Sequence, residues 1–361
     1  MKIKLTEKYK PFSHEAGTSL LIPRSSWKAT IFPAKIQLES LLSIGGKQVL
    51  SVTPHLRGPL KRFTVMQDLE RHWVRVFGEG PQGYFSYRLV ASSHEIILFF
   101  ERGPEEGISF TFEGETKILR RKEELIIPTT LSAFPKMRGE KMHFGCSKKQ
   151  DWSLVRRRQS VEEILPVWFE LGKHVPSHPI LNAGTSRLLA SCQKQIEAKE
   201  NDKIGTSFID LFKAGFEGIL SPRLTDADHL GYQEEEDVIP KEASPLVLLG
   251  EGARLIRSLL VQKRGKGIAI LPCLPKELHA GRFTHIQLSD TLIADLEWSK
   301  KLIRCLVLHP KEDQEITFTF QSSIDSFRLR LGRRGRGKTL KAGGKMTLKA
   351  DTLYILDRFQ K

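Results

Sequence analysis

The feature that most constrains this chain is a double change in its hydrophobic period. From about Leu20 to Phe144 apolar residues alternate in short runs, from about Asp151 to Gln262 they recur every three to four residues, and from Ile268 onward alternation returns. Alternation suits strands with one wetted face, and the longer period suits helices with one buried stripe. The chain therefore reads as an α+β fold with an N-terminal antiparallel β-sandwich (1–147), a reduced helical middle region (148–265) and a C-terminal β-domain (266–361).

In the first region the strand-like runs are Lys35 to Leu42, Phe63 to Val76, Tyr84 to Val90, Ile96 to Arg102, Ile108 to Glu113 and Thr116 to Leu119. Gly45-Gly46, Gly80-Pro81, Gly103-Pro104 and Gly114-Glu115 mark the corners. In the middle region Val161, Ile164, Leu165, Trp168 and Phe169 form a helical stripe. Ser160 and Glu163 suit a capping box for it, and Pro166 is expected to kink or restart it. Thr185, Leu188, Leu189, Cys192 and Ile196 give another stripe. Phe208, Leu211, Phe212, Gly215, Phe216, Ile219 and Leu220 give a third, with Ser207 as N-cap. A fourth helix is expected from Ser244, with Pro245 in its first position. In the last region Phe327, Leu329 and Leu331 alternate with Arg328 and Arg330, so those arginines read as the wet face of a strand.

Apolar content of 40% and charged content of 27% are those of an ordinary globular protein. The first residues are too polar for a signal peptide, and the densest apolar run, Ile96 to Phe100, is far shorter than the roughly 20 residues that cross a bilayer. A cytoplasmic location and no membrane partner are expected. Cys146, Cys192, Cys273 and Cys305 form no CxxC pair, so buried free thiols are expected rather than disulfides or a zinc site. No cofactor or metal is expected.

The formal net charge of +15 is unevenly spread: Arg328 to Lys349 carries nine basic residues and no acidic ones, and Lys148 to Arg158 carries five against Asp151. Such stripes can neutralise an anionic polymer or simply form a solvated rim, and no aromatic residues interleave with the arginines as a base-stacking platform requires. Within the first stripe, 332–339 satisfies the phosphate-loop pattern GxxxxGK[ST]. A true phosphate loop opens a helix, whereas "LKAGGKMTLKADTLYIL" reads as a β-hairpin, so the match is a basic turn between strands. Its candidate anion contacts are Arg333, Arg334, Arg336 and Lys338.

His174 and His178 have the i, i+4 spacing of helical zinc ligands, but Pro176 and Pro179 argue for a loop holding two unrelated histidines. Asp226, Asp228 and His229, followed by Glu234, Glu235, Glu236 and Asp237, make an acidic loop whose spacing matches no calcium loop. Glu251 sits between Gly250 and Gly252 in a helix. Glycines there permit close approach of a ligand or mark a crowded helix crossing.

"LLGEGARLIRSLLVQ" followed by "ILPCLPKELHAGRFTHIQLSDTLIADLEWSKKLIRCLVL" resembles the C-terminal part of the alpha-L-fucosidase family and related (α/α)6-barrel glycoside hydrolases. There the last barrel helix leads to a leucine-proline turn and a strand with a "DLEW"-like motif, and "TLKAGGKMTLKADTLYIL" resembles the closing hairpin. The similarity covers about 110 residues and includes no catalytic residue. Segment 151–262 offers about 112 residues against the roughly 250 to 300 that six helical hairpins require, which leaves room for four to six helices. The resemblance thus implies a degenerate glycoside-hydrolase-like protein that binds a carbohydrate with weak or no hydrolysis. Asp226, Asp228 and Glu251 are its candidate carboxylates, and Trp152, Trp168 and Trp298 its candidate stacking residues. The alternative is a non-catalytic binding or scaffold protein whose basic surface meets nucleic acid, an anionic polysaccharide or an acidic partner.

Overall fold

The computed structural model describes residues 9–42, 48–129, 139–146, 150–232, 238–265 and 267–361. Among them strands predominate, arranged in sheets that are antiparallel except for one parallel pair, Gly267–Ile270 with Gln314–Thr319, and five α-helices lie between the β-rich ends of this α+β fold. The helices are α1 (Trp152–Arg158), α2 (Val161–Gly172), α3 (Arg187–Glu197), α4 (Asn201–Gly215) and α5 (Leu246–Leu260).

The N-terminal sandwich is two six-stranded sheets. One runs Phe12–Ser13, Lys61–Asp68, Trp73–Gly80, Gly83–Ala91, Glu95–Arg102, Glu124–Pro128. The other runs Glu115–Leu119, Ile108–Phe112, Val49–Pro54, Lys35–Ser40, Trp27–Phe32, Thr18–Leu21. Tyr87 and Phe100 of the first meet Phe110 of the second, ring centroids 5.7 and 6.3 Å apart, so the inward residues of both sheets share one core. The expected run Phe63 to Val76 is two strands, not one. Asp68 Oδ1 accepts the N–H groups of Glu70 and Arg71, and His72 takes a positive φ, which makes a tight turn without glycine or proline. The Gly45-Gly46 corner lies outside the described residues.

In the middle region α2 runs unbroken through Pro166 rather than restarting there. Ser160 makes no side-chain cap, and Glu163 instead takes the Arg158 guanidinium at 2.7 and 2.9 Å, a charged partner that outcompetes the capping-box amide. Helix α4 begins at Asn201, so Ser207 is interior and its hydroxyl donates to Gln195 Oε1; Ile219 and Leu220 have left the helix for a short hairpin, Phe216–Glu217 with Ser221–Pro222. Helix α5 starts at Leu246, one residue later than expected. The Ser244 hydroxyl accepts the Leu246 N–H while donating to Leu41 O of the sandwich.

The C-terminal β-domain pairs a seven-stranded sheet (Lys141–His143, Ala280–Ser289, Leu292–Ser299, Leu302–Pro310, Tyr354–Gln360, Ser326–Leu331, Lys338–Lys341) with a four-stranded one (Val261–Arg264, Gly267–Ile270, Gln314–Thr319, Lys345–Leu348). Strands Lys338–Lys341 and Lys345–Leu348 lie in different sheets, so the expected closing hairpin does not form between them. The hairpin is Ser326–Leu331 with Lys338–Lys341. The edge strand Lys141–His143 comes from before residue 147, and one cluster of buried side chains links Trp27, Trp168, Leu248 and Leu296 across all three regions. No described helix is long and apolar enough to cross a membrane.

Candidate functional site

Of the candidate carboxylates, Asp226 and Asp228 meet at Arg223, whereas Glu251 pairs with Arg254. Asp226 is buried and structural: its Oδ2 accepts the N–H groups of Gly231 and Tyr232 at 3.1 and 3.0 Å, and Oδ1 faces Arg223 at 3.4 Å. Asp228 is 58% exposed and meets the other arm of Arg223 at 3.3 Å. Arg223 also donates to Ala214 O and Lys213 O, so this constellation ties the loop to the end of α4. Glu234, Glu235, Glu236 and Asp237 lie outside the described residues. Glu251, on α5, accepts from Arg254 Nε at 2.5 Å.

The two glycines beside Glu251 differ. A Cβ on Gly252 would lie 2.5 Å from the Trp168 indole, whereas one on Gly250 would meet nothing nearer than Val175 at 3.6 Å. On the facing helix, a Cβ on Gly172 would lie 2.2 Å from Leu249 O. Gly172 and Gly252 therefore let α2 and α5 cross at close range, and Trp168 Nε1 donates to Leu248 O at 3.1 Å. Gly250 opens instead onto a hollow.

The basic turn sits in the hairpin between Ser326–Leu331 and Lys338–Lys341, with no helix after it and thus none of the amide cradle a phosphate loop needs. Within the strand, Arg328 and Arg330 both pair with Asp357 at 2.6 to 2.9 Å. Arg333, Arg334 and Arg336 in the turn and Lys338 at the start of the next strand are exposed, and none makes an ion pair with a described residue.

Histidines and cysteines gather no metal site: no cluster of three His, Cys, Asp or Glu able to hold an ion occurs among the described residues. His174 is buried against the His72 ring, centroids 5.1 Å apart, while His178 lies in the loop beyond α2. None of the four cysteines is in a disulfide; three are buried and Cys146 is partly exposed, and burial pushes the Cys192 thiol up to about 12. Trp152, Trp168 and Trp298 are 2%, 0% and 1% exposed, so each is core and none offers an open stacking face.

A pocket that sequence reading missed lies where the sandwich meets α1, about 450 Å³ in volume. Asp151 caps α1 through the Ser153 and Leu154 N–H groups, and one helical turn then brings Ser153, Arg156 and Arg157 to the rim with Trp152 as a buried floor. The hairpin 216–222 supplies Glu217. Gly218 has a positive φ, and a Cβ there would lie 1.9 Å from Ser19 O, so only glycine lets the hairpin dock, with Ile219 N–H on Ser19 O at 2.7 Å. Lys28 holds Glu217 at 3.2 Å and Glu39 at 3.1 Å; burial works against the Lys28 ammonium, yet these two carboxylates hold its pKa above the ordinary lysine value. Glu15, Ser13, Thr18 and Ser19 close the other side. Two carboxylates, two guanidinia and four hydroxyls thus converge on one concavity. Another cleft, of about 560 Å³, gathers Glu162, Asp210 and Glu277 with Arg158 and Lys213, without an aromatic wall.

Compared with known proteins, the chain matches no family model and no curated relative.

Proposed function

We propose that this chain is a carbohydrate-binding protein, with the β-domain, helix, β-domain layout of a glycoside hydrolase and without the hydrolytic chamber. The observation that carries this is the pocket between sandwich and α1, where Glu15, Glu217, Arg156 and Arg157 stand over Trp152 among serine and threonine hydroxyls. Planar carboxylates and guanidinia can each engage a pair of neighbouring sugar hydroxyls, and the hydroxyl side chains can both donate and accept. Hydrolysis would further need two carboxylates flanking one bond, about 5 to 5.5 Å apart for retention or about 6.5 to 9.5 Å for inversion. Glu15 and Glu217 replace Asp226, Asp228 and Glu251 as the acids to test. A cytoplasmic setting suits four cysteines that form no disulfide.

A glycan array followed by calorimetric titration tests this on the full chain. Arg156→Ala and Glu217→Gln are expected to weaken the best glycan about tenfold each, about 1.4 kcal/mol, with no turnover of aryl glycosides. Absence of any bound glycan, or affinity unchanged in both variants, removes the reading.

We infer a second capacity, binding of an anionic polysaccharide, from the three turn arginines Arg333, Arg334 and Arg336 and the adjoining strand residue Lys338, which no described carboxylate neutralises. Lys338, Lys341 and Lys345 lie on strands at sheet edges, where lysine also guards against edge pairing, but that role does not account for three arginines off the ladder. Salt-dependent retention on heparin, lost on replacing Arg333, Arg334 and Arg336 by Ala, is expected. Retention unaffected by the triple variant refutes this site, and stronger retention on DNA than on heparin at equal salt turns it into a nucleic-acid surface.

A further inference from the structure

The close crossing of α2 and α5 leaves a hollow of about 540 Å³ beside it, within the size range of small-molecule sites. Phe169, Val175, Leu246, Val247 and Ala253 give it an apolar lining, and Gly250 keeps it open. Around this lining stand Lys173, His178, Glu251, Arg254 and Arg257.

The polar groups are only partly engaged by the protein. Arg257 uses Nε and Nη2 on Glu140 and Gln287 O, which leaves Nη1 without an acceptor among the described residues. Arg254 uses Nε on Glu251, which leaves both of its terminal nitrogens. His178 Nε2 is buried with no partner, and burial holds this imidazole below its ordinary pKa, so near neutral pH it can donate or accept one hydrogen bond. Lys173 is held in the wall by two of its three N–H groups, donating to Glu140 O at 2.6 Å and Glu170 at 2.8 Å. The unspent donors are thus mainly guanidinium N–H groups beside an apolar patch. Glu251 is the one carboxylate lining the hollow, and its charge is already taken up by Arg254.

We propose that this hollow binds a small carboxylic acid with a compact apolar body. The ligand carboxylate meets the free guanidinium nitrogens of Arg254 and Arg257 beside His178, and its body occupies the hollow that Gly250 keeps open. Guanidinium groups favour a planar carboxylate, which they can grip with two parallel bonds. The apolar lining disfavours a bare inorganic anion, which would gain nothing from it.

The test uses the full chain, titrated by calorimetry and followed by saturation-transfer NMR, with benzoate, phenylacetate and cyclohexanecarboxylate against their primary amides. Saturable binding of at least one acid is expected, about tenfold tighter than its amide. Gly250→Leu puts a side chain into the hollow without removing any polar group, and circular dichroism checks its fold; it is expected to abolish binding of acid and amide alike. Arg254→Gln, at an exposed position, is expected to weaken the acid about fivefold or more and leave the amide unchanged. The proposal falls if no acid saturates, if acid and amide bind equally, or if folded Gly250→Leu or Arg254→Gln binds the acid as the parent does. None of these readouts touches the Trp152 pocket or the basic turn, so the sugar and polyanion readings stand or fall separately.

Discussion

Glu140 receives the Arg257 guanidinium through two parallel bonds, Nε at 2.9 Å and Nη2 at 2.8 Å, and takes the Gln287 N–H as a third donor at 3.0 Å. One buried carboxylate thereby joins the segment leaving the sandwich to α5 and to the seven-stranded sheet. Removing one member of a buried pair strands the other charge. Glu140→Ala is therefore expected to cost about 3 to 5 kcal/mol in urea unfolding. Replacing both residues by apolar ones of similar size should recover most of that loss. A single-variant cost under about 1 kcal/mol would place the pair among ordinary surface ion pairs.

The two glycines flanking Glu251 should respond with opposite sign. Alanine at Gly250 has room and improves helix propensity, so it is expected to stabilise by about 0.5 to 1 kcal/mol. Alanine at Gly252 collides with the Trp168 indole and is expected to destabilise by about 1 to 3 kcal/mol despite the same propensity gain. Melting temperatures of the two variants moving in the same direction would contradict the crossing geometry.

Asp226 and Asp228 should separate in the same way. Asp226→Ala leaves two loop N–H groups and part of Arg223 unanswered and is expected to cost about 2 to 4 kcal/mol. Asp228→Ala, at an exposed carboxylate, should change stability by less than about 0.5 kcal/mol. Thermal unfolding distinguishes them. Equal costs would mean that Asp228 carries a structural duty its exposure does not suggest.

Acid sensitivity should centre on His72. Burial, with Arg24, His174 and Lys173 nearby and only Glu170 opposing them, pulls its pKa down to about 4. The unfolded chain protonates this imidazole near pH 6.5 while the folded chain resists, so the unfolded state binds the extra proton between about pH 6.5 and 4. This contribution is constant above that window and falls as pH drops through it, by about 2 kcal/mol once solvent screening of the half-buried ring is allowed for. His72→Asn, whose side chain tolerates the φ of 60°, should flatten the melting profile between pH 7 and 4. An unchanged profile would assign the acid response to other groups.

Much of the architecture was legible because it rests on local periodicity. Alternation gave most sandwich strands, and the stripes around Trp168, Leu189 and Phe208 gave three helices close to their true positions. The failures were places where one polar side chain outweighs the hydrophobic period around it. Asp68 builds the turn that splits Phe63 to Val76, and Arg158 takes Glu163 away from a capping role. The basic turn was readable as one contiguous segment. The pocket over Trp152 was not, because Glu15, Trp152 and Glu217 come from three distant parts of the chain.

By itself the sequence determined the order of β, α and β regions and the position of the basic turn, since each depends on residue type and spacing alone. Only the tertiary structure decided what the acids and glycines do. Asp226 became a loop anchor and Gly252 a crossing point, while Gly250 opened a hollow. A carboxylate's role depends on which donors reach its oxygens, and a glycine's on which atoms occupy the place of its missing side chain; both are set by segments far apart in the chain.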